Sequence, residues 1–262
     1  MFVELTKTNG VARLLLNRPD KRNALTDDFI REITAAVEDV AADESVRVLV
    51  VAAAGTVFCA GMDLGQMQQR AQADNSEELW LQDSQILRDT FKAMFQLPIP
   101  TVAVVQGAAV AGGMGLITSC DMVLASTNAF FALPEPQRGI TAAMVTPLLL
   151  HRIATSAANE LLLGGGRMSA KRAAQVGLCL EPVDPDELEA AEAKLVCSIL
   201  NGSRAALAQT KQHVINCAGP NVMQQLDESV ELSALARRTS DAREGLQAFL
   251  EKRKANWIPQ DG

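Results

Sequence analysis

The chain has 262 residues, of which 48% are hydrophobic and 21% charged, and its formal net charge is −7 at pH 7. This length and apolar content suit one domain with a large core, or such a domain with a helical appendage. The acidic balance argues against a nucleic-acid-binding surface, because phosphate recognition relies on basic residues. The apolar runs are shorter than the roughly 18 to 20 residues of a membrane span, and no signal-peptide pattern opens the sequence, so we expect a cytoplasmic protein.

The five cysteines are scattered and form no CxxC pair. Neither a disulfide framework nor a zinc site is therefore indicated, and no metal is expected.

The first elements are predicted to be a β-hairpin and a helix. Asn9-Gly10 separates the strand-like runs 2–7 and 11–16, which is a strong hairpin signal. Thr26 precedes two aspartates and a helically spaced apolar series, as expected for a helix N-cap.

Buried strands and helices then alternate along the chain. Continuous apolar runs at 46–54, 101–107 and 122–126 are typical of strands buried on both faces of a parallel sheet. Helical segments are predicted at about 77–96 and 112–119. This alternation indicates an α/β core with right-handed crossovers. From position 141 onward the sequence is mainly helical.

Two glycine-containing loops are candidates for binding a reacting oxygen. The segment "AVAGGMGL" lacks the lysine of a P-loop and the spacing of a dinucleotide-binding loop, but it offers free backbone N–H groups around Gly112. A second loop, "FCAGMDL" at 58–64, follows another strand and is expected to converge with the first, so that the two could form an oxyanion hole. The alternative is close packing of a buried helix against a strand.

Among the possible proton-transfer groups, Glu135 stands out. It lies between two prolines and behind two phenylalanines in "FFALPEPQRGI", an apolar setting that would raise a carboxyl pKa. The alternative is an ordinary loop glutamate. Serine-hydrolase chemistry lacks its GxSxG motif, and Cys59 and Cys120 are predicted to be small buried side chains rather than nucleophiles.

Two basic clusters could meet an anionic ligand despite the acidic total charge. One is "NRPDKRNA", with Lys21 and Arg22, and the other is "EKRKANW", with Lys252. Solvated surface charge is the alternative for both.

Five segments in order resemble the enoyl-CoA hydratase/isomerase, or crotonase, family. They are "NRPDKRNAL", "FCAGMDL", "GAAVAGGMGLITSCD", "PEPQRGI" and "EGLQAFLEKRKANW", and they extend from Asn17 to Trp257. The resemblance implies an α/β fold with a spiral core of ββα turns over residues 1–200. It also implies a helical trimerisation region over 201–262, with assembly as a homotrimer or as a homohexamer built from two trimers.

The same resemblance implies an acyl-CoA thioester substrate whose enolate is stabilised during the reaction. Coenzyme A is then part of the substrate, and no separate cofactor is expected. The oxyanion-hole N–H groups fall on Ala60 and Gly112, and the acid–base group on Glu135. Phe249 and Lys252 are expected to reach the coenzyme A of a neighbouring subunit. The substrate-binding residues implied are Lys21, Arg22, Ala60, Gly61, Met62, Asp63, Gly112, Phe249 and Lys252.

The sequence departs from the better-known hydratases at Gly115, where they carry a second catalytic glutamate. A glutamate introduced at 115 is expected to be tolerated if the position faces an open site. The "GGMGL" segment and "RGITAAMVTPLLL" resemble the branch that acts on methylglutaconyl-CoA or isohexenylglutaconyl-CoA. Hydration of a branched glutaconyl-type thioester is the leading hypothesis. An isomerase that uses one glutamate and a noncatalytic acyl-CoA-binding homologue are the alternatives.

Overall fold

A computed structural model describes residues 2–218 and 221–259, and its strands form two sheets. The strands are β1 (Val3–Thr8), β2 (Val11–Leu16), β3 (Val48–Ala53), β4 (Val57–Cys59), β5 (Thr101–Val105), β6 (Ala108–Val110), β7 (Met122–Ala125), β8 (Phe130–Ala132) and β9 (Arg167–Ser169).

The larger sheet has the order β1-β2-β3-β5-β7. The predicted hairpin forms its edge, since β1 and β2 pair antiparallel, while the other neighbouring strands pair parallel. Every residue of β5 is buried, as its unbroken apolar sequence predicted. This sheet therefore lies at the centre of the core.

The smaller sheet has the order β4-β6-β8-β9. β4, β6 and β8 run parallel, and β9 adds antiparallel to β8. In each successive pair, β3–β4, β5–β6 and β7–β8, the chain places one strand in the larger sheet and the next in the smaller one. This ββα spiral confirms the expected fold class. Strand β9 was not predicted, because the chain beyond position 141 reads as helical.

Eleven α-helices surround the sheets in the described part of the chain. They are α1 (Asp27–Ala42), α2 (Leu64–Ala71), α3 (Ser76–Gln96), α4 (Gly112–Thr118), α5 (Thr146–Arg152), α6 (Thr155–Leu162), α7 (Ala170–Gln175), α8 (Leu188–Leu200), α9 (Arg204–Ala218), α10 (Val222–Ala236) and α11 (Ser240–Leu250). The Thr26 hydroxyl accepts a hydrogen bond from the Phe29 N–H at 3.3 Å, as the predicted N-cap of α1 requires. No helix among residues 2–218 and 221–259 is long and apolar enough to cross a membrane.

The C-terminal helices return to the core and cover one end of it. Helix α10 packs against α3, and α11 packs against a single 3-10 turn at Pro136–Arg138. The contact with α11 is unusually close: a Cβ on Gly139 would collide with the Asp241 backbone, and one on Gly245 would collide with the Arg138 backbone. Residues 219, 220 and 260–262 of the predicted 201–262 region lie outside the described residues.

Candidate active site

The two glycine-containing loops lie side by side, as the sequence predicted. Strands β4 and β6 are parallel neighbours, with Val57 opposite Ala108 and Cys59 opposite Ala109. The chain segments that leave their carboxyl ends are therefore adjacent. A Cβ built on Gly112 would lie 3.8 Å from the Gly61 Cα and 3.9 Å from the Met62 nitrogen.

The turn into α4 has a strained backbone. Ala111 precedes the helix with φ 52° and ψ −119°, a conformation that residues with a side chain rarely adopt. This turn places the Gly112 N–H at the start of the helix, where no intrahelical acceptor exists. Close packing, the alternative considered for these glycines, applies to Gly113, where a Cβ would collide with Cys59.

The assignment of Ala60 to the oxyanion hole is wrong. Its N–H already donates a hydrogen bond to the Arg22 carbonyl oxygen at 3.1 Å, so it is not available to a ligand. The Met62 N–H, in contrast, finds no acceptor within residues 2–218 and 221–259, whereas Gly61 and Asp63 on either side bond to the Leu25 backbone through a carbonyl and an N–H. The pair of free donors is therefore Met62 and Gly112.

Glu135 occupies a rigid turn at the end of β8. Its carbonyl oxygen accepts hydrogen bonds from the N–H groups of Arg138 at 2.9 Å and Ile140 at 3.1 Å. The side chain is 8% exposed, and its Oε2 atom has no hydrogen-bond partner in the described chain. Burial raises the pKa of Glu135 to about 7, and the charges of Arg138 and Arg237 only partly oppose this increase. The carboxyl group can thus both accept and donate a proton near neutral pH.

The Glu135 side chain lines an apolar cavity, hereafter the inner cavity. Its walls come from α2, α3, residues 140–145 and the C-terminal helices, and they also include Met62 and Gly112. Glu135 is the only carboxylate among the described residues that line it. The free N–H groups and the proton-transfer group therefore share one enclosed space.

Gly115 does not face this cavity, which corrects the expectation that it occupies a catalytic position. It is fully buried in α4, and a Cβ at this position would collide with the ring of Phe91 from α3. Phe91 itself is 0% exposed and lines the inner cavity. A large apolar ring thus fills the space where the family resemblance would place a second glutamate.

A second depression, hereafter the outer cleft, adjoins the inner cavity. The two share Met62, Leu64 and Arg138. The predicted residues Lys21 and Arg22 line the outer cleft, as do Ala60 and Asp63. Arg167 of β9 also lines the outer cleft, and its guanidinium lies 4.5 Å from the centre of the Phe130 ring. No motif in the sequence marks this basic residue.

Asp63 has a structural task within the outer cleft. Its Oδ1 atom accepts hydrogen bonds from the Gly65 and Gln66 N–H groups and so caps α2, while its Oδ2 pairs with Arg18 at 2.8 Å. Burial favours the neutral acid, but the Arg18 pair and the Gln66 N–H outweigh it and lower the pKa of Asp63. The carboxylate stays charged and orients the loop that carries the Met62 N–H.

Phe249 lies against its own chain, and its expected contact with the coenzyme A of a neighbouring subunit stays a prediction. The Arg138 guanidinium sits 4.4 Å from the centre of its ring, and Phe249 lines the outer cleft. Lys252 is exposed and does not line the cleft. The α11 segment therefore closes the junction between cleft and cavity from within one chain.

This arrangement suits a ligand with a polar, anionic part and an acyl part. The outer cleft offers basic side chains to the anionic part, and the inner cavity encloses the acyl part. The N–H groups of Met62 and Gly112 lie between the two. Such donors stabilise an oxygen that gains negative charge, and a nearby carboxyl can move a proton to or from the adjacent carbon.

Known proteins of the same kind match almost the whole chain. The family model described as enoyl-CoA hydratase/isomerase matches residues 6–260. A putative enoyl-CoA hydratase of Thermus thermophilus is 34% identical over 93% of this chain and 95% of its own, and a 1,2-epoxyphenylacetyl-CoA isomerase of Escherichia coli is 30% identical over 93% of each. The crystal structure of an enoyl-CoA hydratase from Mycobacterium avium superposes with a TM-score of 0.88 at 30% identity, over 98% of this chain and 99% of that one. The chain therefore belongs to the enoyl-CoA hydratase/isomerase family.

Proposed function

We propose that this protein is a lyase that adds water across the 2,3 double bond of a 2-enoyl-CoA thioester. The observation that carries the proposal is the meeting of three groups in the inner cavity: the free N–H groups of Met62 and Gly112, and the buried carboxyl of Glu135 with its unpartnered Oε2. The relatives called enoyl-CoA hydratases support this choice of reaction.

In the proposed reaction the thioester carbonyl oxygen accepts hydrogen bonds from Met62 and Gly112. Ionised Glu135 takes a proton from water as the water oxygen bonds to C3, and the electrons of the double bond move to the thioester oxygen, giving an enolate. The two N–H groups stabilise that negative charge, and each is worth roughly 10² to 10³ in rate.

Glu135 then returns the same proton to C2, which re-forms the carbonyl and restores the carboxylate. One carboxyl group can perform both transfers because its pKa near 7 makes both protonation states accessible. The proposal therefore needs no second acid at Gly115, but it requires that the oxygen and the hydrogen add to the same face of the double bond.

For the acyl group we propose a branched glutaconyl-type thioester, such as methylglutaconyl-CoA or isohexenylglutaconyl-CoA, in leucine or acyclic-terpene breakdown. Support comes from the resemblance of "RGITAAMVTPLLL" to that branch and from the contribution of residues 140–145 to the wall of the inner cavity. This wall lies next to Glu135, so its shape limits which acyl chain can be attached at C3.

A second candidate is an enoyl-CoA isomerase. The presence of a single carboxylate in the inner cavity favours it, because a 1,3-proton shift along an enolate needs only one base. The description of the matching family model, enoyl-CoA hydratase/isomerase, includes both reactions.

We also propose that the chain assembles as a homotrimer or a dimer of trimers. Exposed apolar side chains of the C-terminal region, including Leu232 and Leu235 of α10 and Trp257 beyond α11, support the presence of a subunit contact there.

The test is a turnover screen over short, branched and glutaconyl-type enoyl-CoA thioesters, read by mass. Hydration adds the mass of one water and removes the absorbance of the conjugated double bond. Isomerisation of a 3-enoyl thioester leaves the mass unchanged and creates that absorbance. Binding without either change would support a noncatalytic acyl-CoA-binding protein and would contradict both enzymatic candidates.

A further inference from the structure

The inner cavity contains an arginine that the proposed reaction does not use. Arg237 follows α10 directly. Its Nη1 donates hydrogen bonds to the Ser84 Oγ at 2.9 Å and to the Ser233 Oγ at 3.0 Å, and these two bonds hold the guanidinium in place. The indole of Trp80 lies 5.6 Å from the guanidinium carbon. These contacts fix the position of Arg237 at the wall of the cavity.

The charge of Arg237 has no carboxylate in contact with it. Among residues 2–218 and 221–259, none of the ion pairs includes Arg237, and its hydrogen bonds all leave from Nη1 toward hydroxyl or carbonyl oxygens. Burial lowers the pKa of this guanidinium, which shows that its surroundings disfavour the charge. A partly buried cation without a contacting counter-ion is stabilised when an anion pairs with it.

The two acidic groups that interact electrostatically with Arg237 do not contact it. Asp83 forms an ion pair with Arg70 at 3.0 Å, and burial raises the pKa of Asp83. Glu135 interacts with Arg237 only through space, yet closely enough for each to shift the pKa of the other. Neither supplies a contacting counter-ion to Arg237.

We propose that Arg237 binds a carboxylate at the distal end of the acyl group, and that it thereby selects short diacyl-CoA substrates over simple fatty acyl ones. This inference rests on the proposed function. The Nε and Nη2 sides of a guanidinium match the two oxygens of a carboxylate, which explains an arginine rather than a lysine at this position. Glu135 and Arg237 line the same inner cavity, so a carboxylate bound at Arg237 shares that cavity with the reacting carbons, and the acyl chain that joins them is short.

Two other arginines line the inner cavity and fit the role less well. Arg138 stacks on Phe249 at the junction with the outer cleft, where the coenzyme A arm would pass. Arg243 is exposed to solvent. Arg237 alone combines a guanidinium fixed by two serine hydroxyls with a place in the inner cavity away from the outer cleft.

The test compares two pairs of thioesters of equal length that differ only at the distal end. Calorimetry measures the affinity for the unreactive glutaryl-CoA against pentanoyl-CoA, and turnover is compared for glutaconyl-CoA against 2-pentenoyl-CoA. We expect the wild type to prefer the diacyl member of each pair by at least about 10-fold. Arg237→Gln should reduce this preference about 10- to 100-fold, the usual effect of a lost hydrogen bond to a charged group.

Arg238→Gln is the matched control, because Arg238 is exposed and pairs with Glu77 at 3.1 Å on the outer surface. It should keep the wild-type preference. Arg237→Lys should retain part of the preference, since the positive charge stays while the paired N–H groups of the guanidinium are lost. A purely structural Arg237 would change stability and leave the ratio between matched thioesters unaltered.

The inference is overturned if the wild type binds pentanoyl-CoA as tightly as glutaryl-CoA, a measurement that does not require any variant to fold. It is also overturned if folded Arg237→Gln keeps the preference. Failure of the proposed function is a separate outcome: neither enoyl thioester would gain water, while the binding preference could still be present or absent.

Discussion

The ring of Phe91 fills the space beside Gly115, so that no side chain fits at position 115 without moving the ring. In hydratases that use two glutamates, the corresponding space holds the second carboxylate, as the family resemblance implies. Here the ring forms part of the cavity wall instead. The described lining of the inner cavity therefore offers one carboxylate, Glu135, and the part of the wall formed by Phe91 is apolar.

The contact between Phe91 and Gly115 predicts strong coupling between substitutions at the two positions. Gly115→Ala should destabilise the fold by about 1 to 3 kcal/mol through overpacking, and Phe91→Ala by about 3 to 5 kcal/mol through the cavity it leaves. The double variant should lose less than the sum, because the added methyl group enters the vacated space. Denaturant unfolding of all four proteins measures the coupling, and strict additivity would contradict the contact.

Glu135→Gln tests the proton-transfer group itself. The substitution keeps the side-chain volume, so thioester binding should survive while turnover falls by about 10² to 10⁴. In the wild type the rate should decline as the pH drops below about 7, where the carboxylate becomes protonated, and this limb should be absent from the variant. Glu38→Gln, the same change at an exposed site on α1, is the control and should behave as wild type. Near-normal turnover by folded Glu135→Gln would refute the mechanism.

The two backbone donors can be tested one N–H at a time. Replacing Met62 by its α-hydroxy acid exchanges the amide for an ester and removes the N–H without altering the side chain. We expect turnover to fall about 10²- to 10³-fold. The same exchange at Ala60 removes only the hydrogen bond to the Arg22 carbonyl and should cost less than about 10-fold. The reverse order would return Ala60 to the oxyanion hole.

Glu135 should also make stability depend on pH. Its pKa is about 7 in the folded protein against an ordinary value of 4.5, so between these values the folded state binds more protons than the unfolded state. The free energy of unfolding therefore declines as the pH rises from 4.5 to 7. Glu135→Gln should remove this decline and stabilise the protein at pH 8 by about 1 to 3 kcal/mol, with little gain at pH 4. Thermal unfolding at the two pH values measures the difference, and an equal effect at both would contradict the raised pKa.

Removing residues 245–262 should weaken both thioester binding and assembly. The truncation takes away Phe249, which stacks on Arg138 at the junction of cleft and cavity, together with part of the exposed apolar surface. Calorimetry with a saturated acyl-CoA and light scattering follow the two effects. Phe249→Ala, which keeps the helix, should lower the affinity and leave the assembly intact. A wild-type protein that is monomeric, with affinity unchanged after truncation, would contradict this prediction.

The parts of the fold that the sequence predicted are those specified by local pattern. The hairpin at Asn9-Gly10, the Thr26 cap and the unbroken apolar strand β5 each depend on neighbouring residues in the chain. Strand β9 has only three residues and pairs with a distant strand, so no local periodicity marks it.

The candidate site likewise combines features that local sequence specifies with features that depend on tertiary contacts. Glu135 and Gly112 could be identified from the sequence, because two prolines flank Glu135 and because glycine leaves its own N–H accessible. The choice between the N–H groups of Ala60 and Met62 depends on the Arg22 carbonyl, which folding brings to Ala60 from another loop. Likewise, the loss of space at Gly115 depends on Phe91 in a different helix. Such facts arise from tertiary contacts, and no spacing in the sequence reveals them.

The absence of side chains at Gly139 and Gly245 allows the α11 backbone to touch the turn that carries Glu135 and Arg138. Neither glycine lines the inner cavity or the outer cleft. In a comprehensive substitution scan scored by activity, both positions should nevertheless be about as intolerant as Glu135. Sensitivity to substitution in this protein will therefore identify residues that position the active-site turn as readily as residues that take part in the reaction. The two kinds of residue are distinguished only by whether thioester binding is lost along with turnover.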